Sequence, residues 1–309
     1  MSVLNGKTHL GTKAIAVALV TMFVYAQDLA IVANEAFSSE LVSHILAVPF
    51  LFVYLAYRKR RMLGATASLE SSASAGKALY EIIGAVICLS AFLLYWYGSY
   101  TFNPLEFRML SLPIFTAGLV LIVFNLETLR VLAFPIAFLL FLVPLPLEFI
   151  QLAATTLSTA SSQTAYTILK ASSMPVELSS QYGVPVIMLT GPGTTPVSFA
   201  VDIACSDLYE LTGFTVFAIF TSYIARGSIL RKAAIFIAGF PLIYALNIVR
   251  IVGVILLATQ SGMETAMQAF HLLGGWTLIF IGTSIFLTIS EKILKIQLFT
   301  RRSNPPPCT

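Results

Sequence analysis

The sequence predicts an all-α polytopic membrane protein. It has about eight transmembrane helices, cytoplasmic termini and a long extracytoplasmic segment before the sixth helix. Three observations carry that prediction. Of 309 residues, 58% are hydrophobic and only 10% charged, where a soluble domain carries about 25% charge. The apolar residues come in runs of roughly the 20 residues that a bilayer-crossing helix needs. The basic residues fall in alternate connecting segments, as the positive-inside rule requires.

Taken in order, the spans lie at about Ala14–Val32, Leu41–Tyr57, Leu79–Tyr97, Phe107–Phe124, Val131–Phe149, Leu208–Ala225, Ala233–Thr259 and Phe270–Ser290. Ala14–Val32 has no small-residue cleavage site behind it and more spans follow, so it reads as a retained first helix. With the N-terminus inside, the cytoplasmic segments hold every Lys and Arg except Arg108, Lys170 and the intrahelical Arg250. They include the run Arg58, Lys59, Arg60, Arg61, the loop residues Arg226, Arg231 and Lys232, and the tail residues Lys292, Lys295, Arg301 and Arg302. A wrong helix count would have scrambled this asymmetry. The net charge of +4 is therefore topological and calls for no nucleic-acid partner. Residues 1–309 read as a single integral membrane domain of the cell membrane, with 291–309 as a cytoplasmic tail.

The segment 150–204 is far longer than an ordinary connection. Its first half, QLAATTLSTASSQTAYTILK, is rich in small and hydroxyl residues and suits a helix lying on the surface. Its second half holds two β-prone runs, GVPVIML and VSFAVDI, separated by the turn signal TGPGTTP. A small hairpin leading straight into Cys205 is expected. No internal repeat and no Rossmann-like glycine pattern occurs, which weakens an inverted-repeat transporter reading.

Three residues in the second half of the chain carry candidate chemistry. Cys205 stands just before the sixth span, where free N–H groups and the helix dipole favour a thiolate. Ser206 and Asp207 are good capping residues for that helix, and Asp202 lies close by. The plainer role for a membrane cysteine is a small hydrophobe, and the polar context DIACSD speaks against it. Arg250 interrupts the apolar run ALNIVRIVGVILL about nine residues, or roughly 13 Å, before the expected outer end. An ionisable group at that depth is costly and is either functional or paired. Asn247, three residues earlier, shares its face and can hold the guanidinium. A structural pairing of Arg250 with Asp202 or Asp207 is the competing reading. His271 opens the eighth span at the outer face, with Gly274 and Gly275 on the same side. An imidazole there can move protons or pair with a thiolate, or it can be a merely interfacial histidine.

The remaining cysteines give no metal spacing, and no cofactor is expected. Cys88 sits mid-helix as an apolar filler, and Cys308 ends a Pro-rich tail that lacks a prenylation signal. Together, a cysteine, a histidine and an oxyanion-stabilising cation in the outer half make a complete acyl-transfer set. The alternative is a membrane transporter that uses Arg250 to bind an anionic substrate, for which Cys205 would be dispensable.

At these residues the chain resembles the exosortase/archaeosortase family of membrane cysteine transpeptidases and points to an archaeal subgroup. The matching pieces are LAFPIAFLLFLVPLP in the fifth span, ACS at Ala204 to Ser206, LNIVRIVGVILL around Arg250, and FHLLGGW around His271. The resemblance runs from about Val131 to Phe286; the first four spans match only in hydropathy. It implies that Cys205 is the nucleophile, Arg250 stabilises the substrate or oxyanion, and His271 is the third catalytic residue. It also implies the substrate: the C-terminal sorting tail of exported surface proteins, with a lipid or glycolipid as acceptor. Asp207 departs from the small residue that relatives carry after the Cys-Ser pair. A carboxylate there raises the thiol pKa unless a cation compensates.

Overall fold

The computed structural model describes residues 2–38, 40–69, 77–102, 104–190, 197–201, 208–225, 228–273, 281–286 and 288. It is mostly helical and divides into two compact units, Met1–Pro146 and Leu147–Thr309.

The first unit holds α1 (Ser2–Val24), α2 (Ala26–Ser38), α3 (Ala47–Arg58), α4 (Arg60–Leu69), α5 (Lys77–Gly98), α6 (Pro104–Val123) and α7 (Leu126–Phe138), with 3-10 turns at Glu40–Leu46 and Leu139–Leu142. The expected first span is not one helix. Leu10–Val24 and Ala26–Ser38 meet at a bend of 75° around Tyr25. The cause lies in two polar side chains that must be satisfied inside. Asp28 is fully buried; it accepts a hydrogen bond from the Tyr95 hydroxyl at 2.8 Å and pairs with Arg108 at 3.3 Å. Arg108 Nε donates to Ser99 Oγ at 3.1 Å. The hydroxyl of the buried Tyr25 lies 2.7 Å from Ser111 Oγ. A buried carboxylate is tolerated only with such partners, and they fix where α2 begins.

α5 and α6 approach each other closely. A Cβ at Gly84 would lie 2.9 Å from the Gly118 carbonyl oxygen, and one at Gly118 would lie 2.6 Å from Cys88 Sγ. Small residues let the backbones approach this closely. Cys88 is a free thiol facing the Phe115 carbonyl, consistent with a filler. Asn125 caps α7 by accepting from the Thr128 N–H at 2.7 Å.

The expected fifth span, Val131–Phe149, ends early. Regular helix stops at Leu142, and Val143 is extended at φ −75°, ψ 120°. The sequence VPLP explains it. A residue before proline avoids the α region, and Pro144 and Pro146 follow Val143 and Leu145 in succession.

The second unit begins with α8 (Leu147–Ala171), followed by β1 (Val176–Gln181), β2 (Val184–Leu189) and β3 (Val197–Ala200) in one antiparallel sheet of order β1-β2-β3. The expected hairpin is present as β2–β3, and β1 adds a strand in front of it. Tyr182 (φ 53°) and Gly183 (φ 82°) make the two-residue turn between β1 and β2. Positive φ at both central positions matches the twist of a tight hairpin. α9 (Leu208–Ile224), α10 (Ile229–Ser261) and α11 (Met263–Leu273) complete the labelled elements. The eighth span was expected to start at Phe270, yet helix is already present from Met263.

Two hydrophobic clusters hold this unit. Ala165 and Leu169 of α8, Val176, Ile187 and Val201 of the sheet region, and Ile251 and Ile255 of α10 form one. Phe214, Ala218, Ala225, Ile243 and Phe286 form the other. α8 is thus packed against β1, β2 and α10 along its length. By length and composition, three described helices suffice to cross a membrane: α5, α6 and Lys232–Ser261 of α10. The bent pair makes up to four.

Candidate active site

Arg250 is placed by α10, whose buried side carries Ile243, Asn247, Ile248, Arg250, Ile251, Val254 and Ile255. Arg250 is 3% exposed and Asn247 wholly buried. The three-residue spacing puts both on one face of the helix, as the sequence implied. α10 has 33 residues, about 50 Å at 1.5 Å per residue, so Arg250 lies well inside the helix rather than at a fraying end.

His271 belongs to α11, which is separated from the end of α10 by one residue and packs against it. The turn is made by Gly262 alone, at φ 89° and ψ 164°. That region is open essentially only to glycine. The His271 side chain lies outside the described residues, as do Asp202, Cys205, Ser206 and Asp207 entirely. Both flanks of the cysteine segment are described. Val201 is buried in the cluster with Ile251, the residue after Arg250, and Leu208 is buried at the start of α9.

Sequence reasoning passed over one polar pair on this side of α10. Tyr244 lies three residues before Asn247, and its hydroxyl is 2.9 Å from Thr164 Oγ1 of α8. The Tyr–Asn–Arg spacing of three and three was a usable signal for Tyr244. Thr164 had none, being one of many hydroxyl residues in α8. That helix also buries Ser158, Ser161 and Ser162, and Ser162 donates to the Ser158 carbonyl at 2.6 Å. α8 therefore does more than lie on a surface: it joins the sheet that leads to Cys205 to the helix that carries Arg250.

The family model for transmembrane exosortase (Exosortase_EpsH) matches residues 35–288. The chain belongs to the transmembrane exosortase family. It is accordingly a membrane transpeptidase of the exosortase kind. No curated protein and no solved structure matches the chain. The family match starts well before the stretch on which the local motifs rest. It takes in α3, α4, α5 and α6 as well as Cys205, Arg250 and His271, and leaves α1, Tyr25 and Asp28 outside.

Proposed function

We propose that this exosortase is a multipass cysteine transpeptidase of the cell membrane that cleaves the C-terminal sorting tails of exported surface proteins at the extracytoplasmic face. The single observation that carries the reading is that Val201, four residues before Cys205, is buried in one hydrophobic cluster with Ile251, one residue after Arg250. The nucleophile's segment is thereby tied to the helix of the buried cation. Family membership supports the reaction class.

In this reading Cys205 Sγ attacks the scissile carbonyl and forms a thioester, and the downstream part of the tail leaves as an amine. α9 starts three residues after Cys205, so its N-terminal N–H groups and dipole favour the thiolate. Arg250 faces the charge that develops on the carbonyl oxygen, and Asn247 holds the guanidinium. His271 gives the leaving amine its proton and then takes one from the incoming acceptor. His271 lies nine residues beyond the Gly262 turn, on the helix that packs against α10. In this reading Asp207, next before Leu208 in the sequence, caps α9. A lipid or glycan-linked lipid then resolves the thioester.

The test is co-expression with an exported protein of the same genome whose C-terminus has a short motif, one membrane helix and a basic cluster. Wild type is expected to shorten that protein. Cys205→Ala is expected to leave it full length while remaining folded in the membrane. Normal shortening by Cys205→Ala would remove the nucleophile.

A further inference from the structure

The sheet of the second unit ends in an unusual edge. The Val201 N–H donates to the Pro185 carbonyl at 2.9 Å, and the register pairs Ile187 with Phe199 and Leu189 with Val197. Backbone groups alternate sides along an antiparallel strand. Val197, Phe199 and Val201 therefore turn their N–H and C=O groups toward β2, and Ser198 and Ala200 turn theirs away from it. No described residue pairs with that outer side. The side chains of Ser198 and Ala200 are exposed, while Phe199 packs on the core.

Proteins blunt such edges with charges, prolines or bulges. Here the outward positions are small and uncharged, whereas the opposite edge strand, β1, carries the exposed Glu177. A scissile peptide must also be extended to be attacked, because within a helix its carbonyl faces the next turn rather than a nucleophile. Cys205 follows Ala200 by five residues.

We propose that the outer edge of β3 is the docking strand for the substrate. An extended stretch of the sorting tail adds to the sheet by main-chain hydrogen bonds to Ser198 and Ala200, and this delivers the scissile bond to Cys205. The proposal rests on the transpeptidase reading above. It adds that affinity comes from the tail's backbone, with alternate side chains free to vary.

The probe is a synthetic peptide covering the cleaved stretch of a tail whose cut site has been mapped, N-methylated at one amide at a time. It is assayed with the full-length protein in lipid vesicles. N-methylation at every second position is expected to raise KM about tenfold, with the intervening positions within about twofold. Ala200→Pro, which deletes an outward N–H and leaves the β2 pairing intact, is expected to raise KM by at least tenfold. Its kcat should stay within about threefold, and Cys205 labelling by iodoacetamide should not change. Ser198→Ala should stay within about twofold, because only its main chain is used.

A flat N-methyl scan on wild type would overturn the docking strand, and that result needs no variant to fold. Conversion of a dimer to a monomer by Ala200→Pro, with a flat scan, would also overturn it and assign the edge to a second copy of the chain. Cleavage that survives Cys205→Ala would instead defeat the transpeptidase reading itself, so the two failures are distinguishable.

Discussion

Each unit of the chain holds an arginine within a helix, Arg108 half-buried and Arg250 buried, and their surroundings differ. Arg108 belongs to a closed network of described partners: Asp28 and Ser99 accept from it, and Tyr95 shares the Asp28 carboxylate. Its chemistry is accounted for by the bend it holds between α1 and α2. Arg250 shares a helix face with Asn247 and Tyr244 at three-residue spacing, and the next residue, Ile251, belongs to the cluster that holds Val201. The half-buried cation lies where a helix must be bent. In the proposed reading the other lies where Cys205 is delivered as the nucleophile. What the neighbouring chain segments carry is what separates the roles proposed for the two arginines.

The sharpest break of this comparison is to truncate each arginine. Arg250→Ala is expected to lower tail cleavage about 100- to 1,000-fold, the size of losing one oxyanion-stabilising group, with membrane insertion unchanged. Arg108→Ala is expected to act in the opposite sense. It strands the buried Asp28 charge and costs about 3 kcal/mol of stability, read as a lower apparent Tm in detergent, with cleavage per folded molecule nearly intact. The double variant Asp28→Asn with Arg108→Gln should recover most of that loss. If Arg108→Ala abolished cleavage without unfolding, the division of roles would be wrong.

A smaller effect is expected at Gly262. An alanine there meets a backbone conformation that costs about 1–3 kcal/mol, and relief of that strain moves α11 and with it His271. Gly262→Ala should thus lose kcat more than stability, measured as a kcat ratio against a detergent Tm. The smallest effect belongs to Tyr244→Phe, which removes one hydrogen bond worth about 1 kcal/mol. A double-mutant cycle with Thr164→Val should show the two changes to be non-additive.

Much of the fold was legible because the bilayer imposes length and composition together. α5 and α6 fall within about three residues of the expected spans, and α9 and α10 within about four. The bend at Tyr25 was not legible. Hydropathy averages over Asp28, and its partners lie 67 and 80 residues away. The early end of the fifth span was legible in VPLP by the proline rule and was overridden by the apolar run. β1 escaped because VELSSQ has no β-branched or aromatic run, although the Tyr182-Gly183 turn after it was a signal. At the site, Arg250 stands out in any apolar helix, and Asn247 follows from helical spacing. The Thr164–Tyr244 contact depends on how α8 folds back onto α10, which no local pattern encodes.

The most direct test of the central claim is intact-mass and peptide mass spectrometry of the wild-type protein trapped during turnover of a cognate tail. The account predicts a hydroxylamine-sensitive adduct of the tail on the peptide that contains Cys205, absent from Cys205→Ala. A tail shortened at the same rate with no such adduct, or with the adduct on another residue, would contradict it.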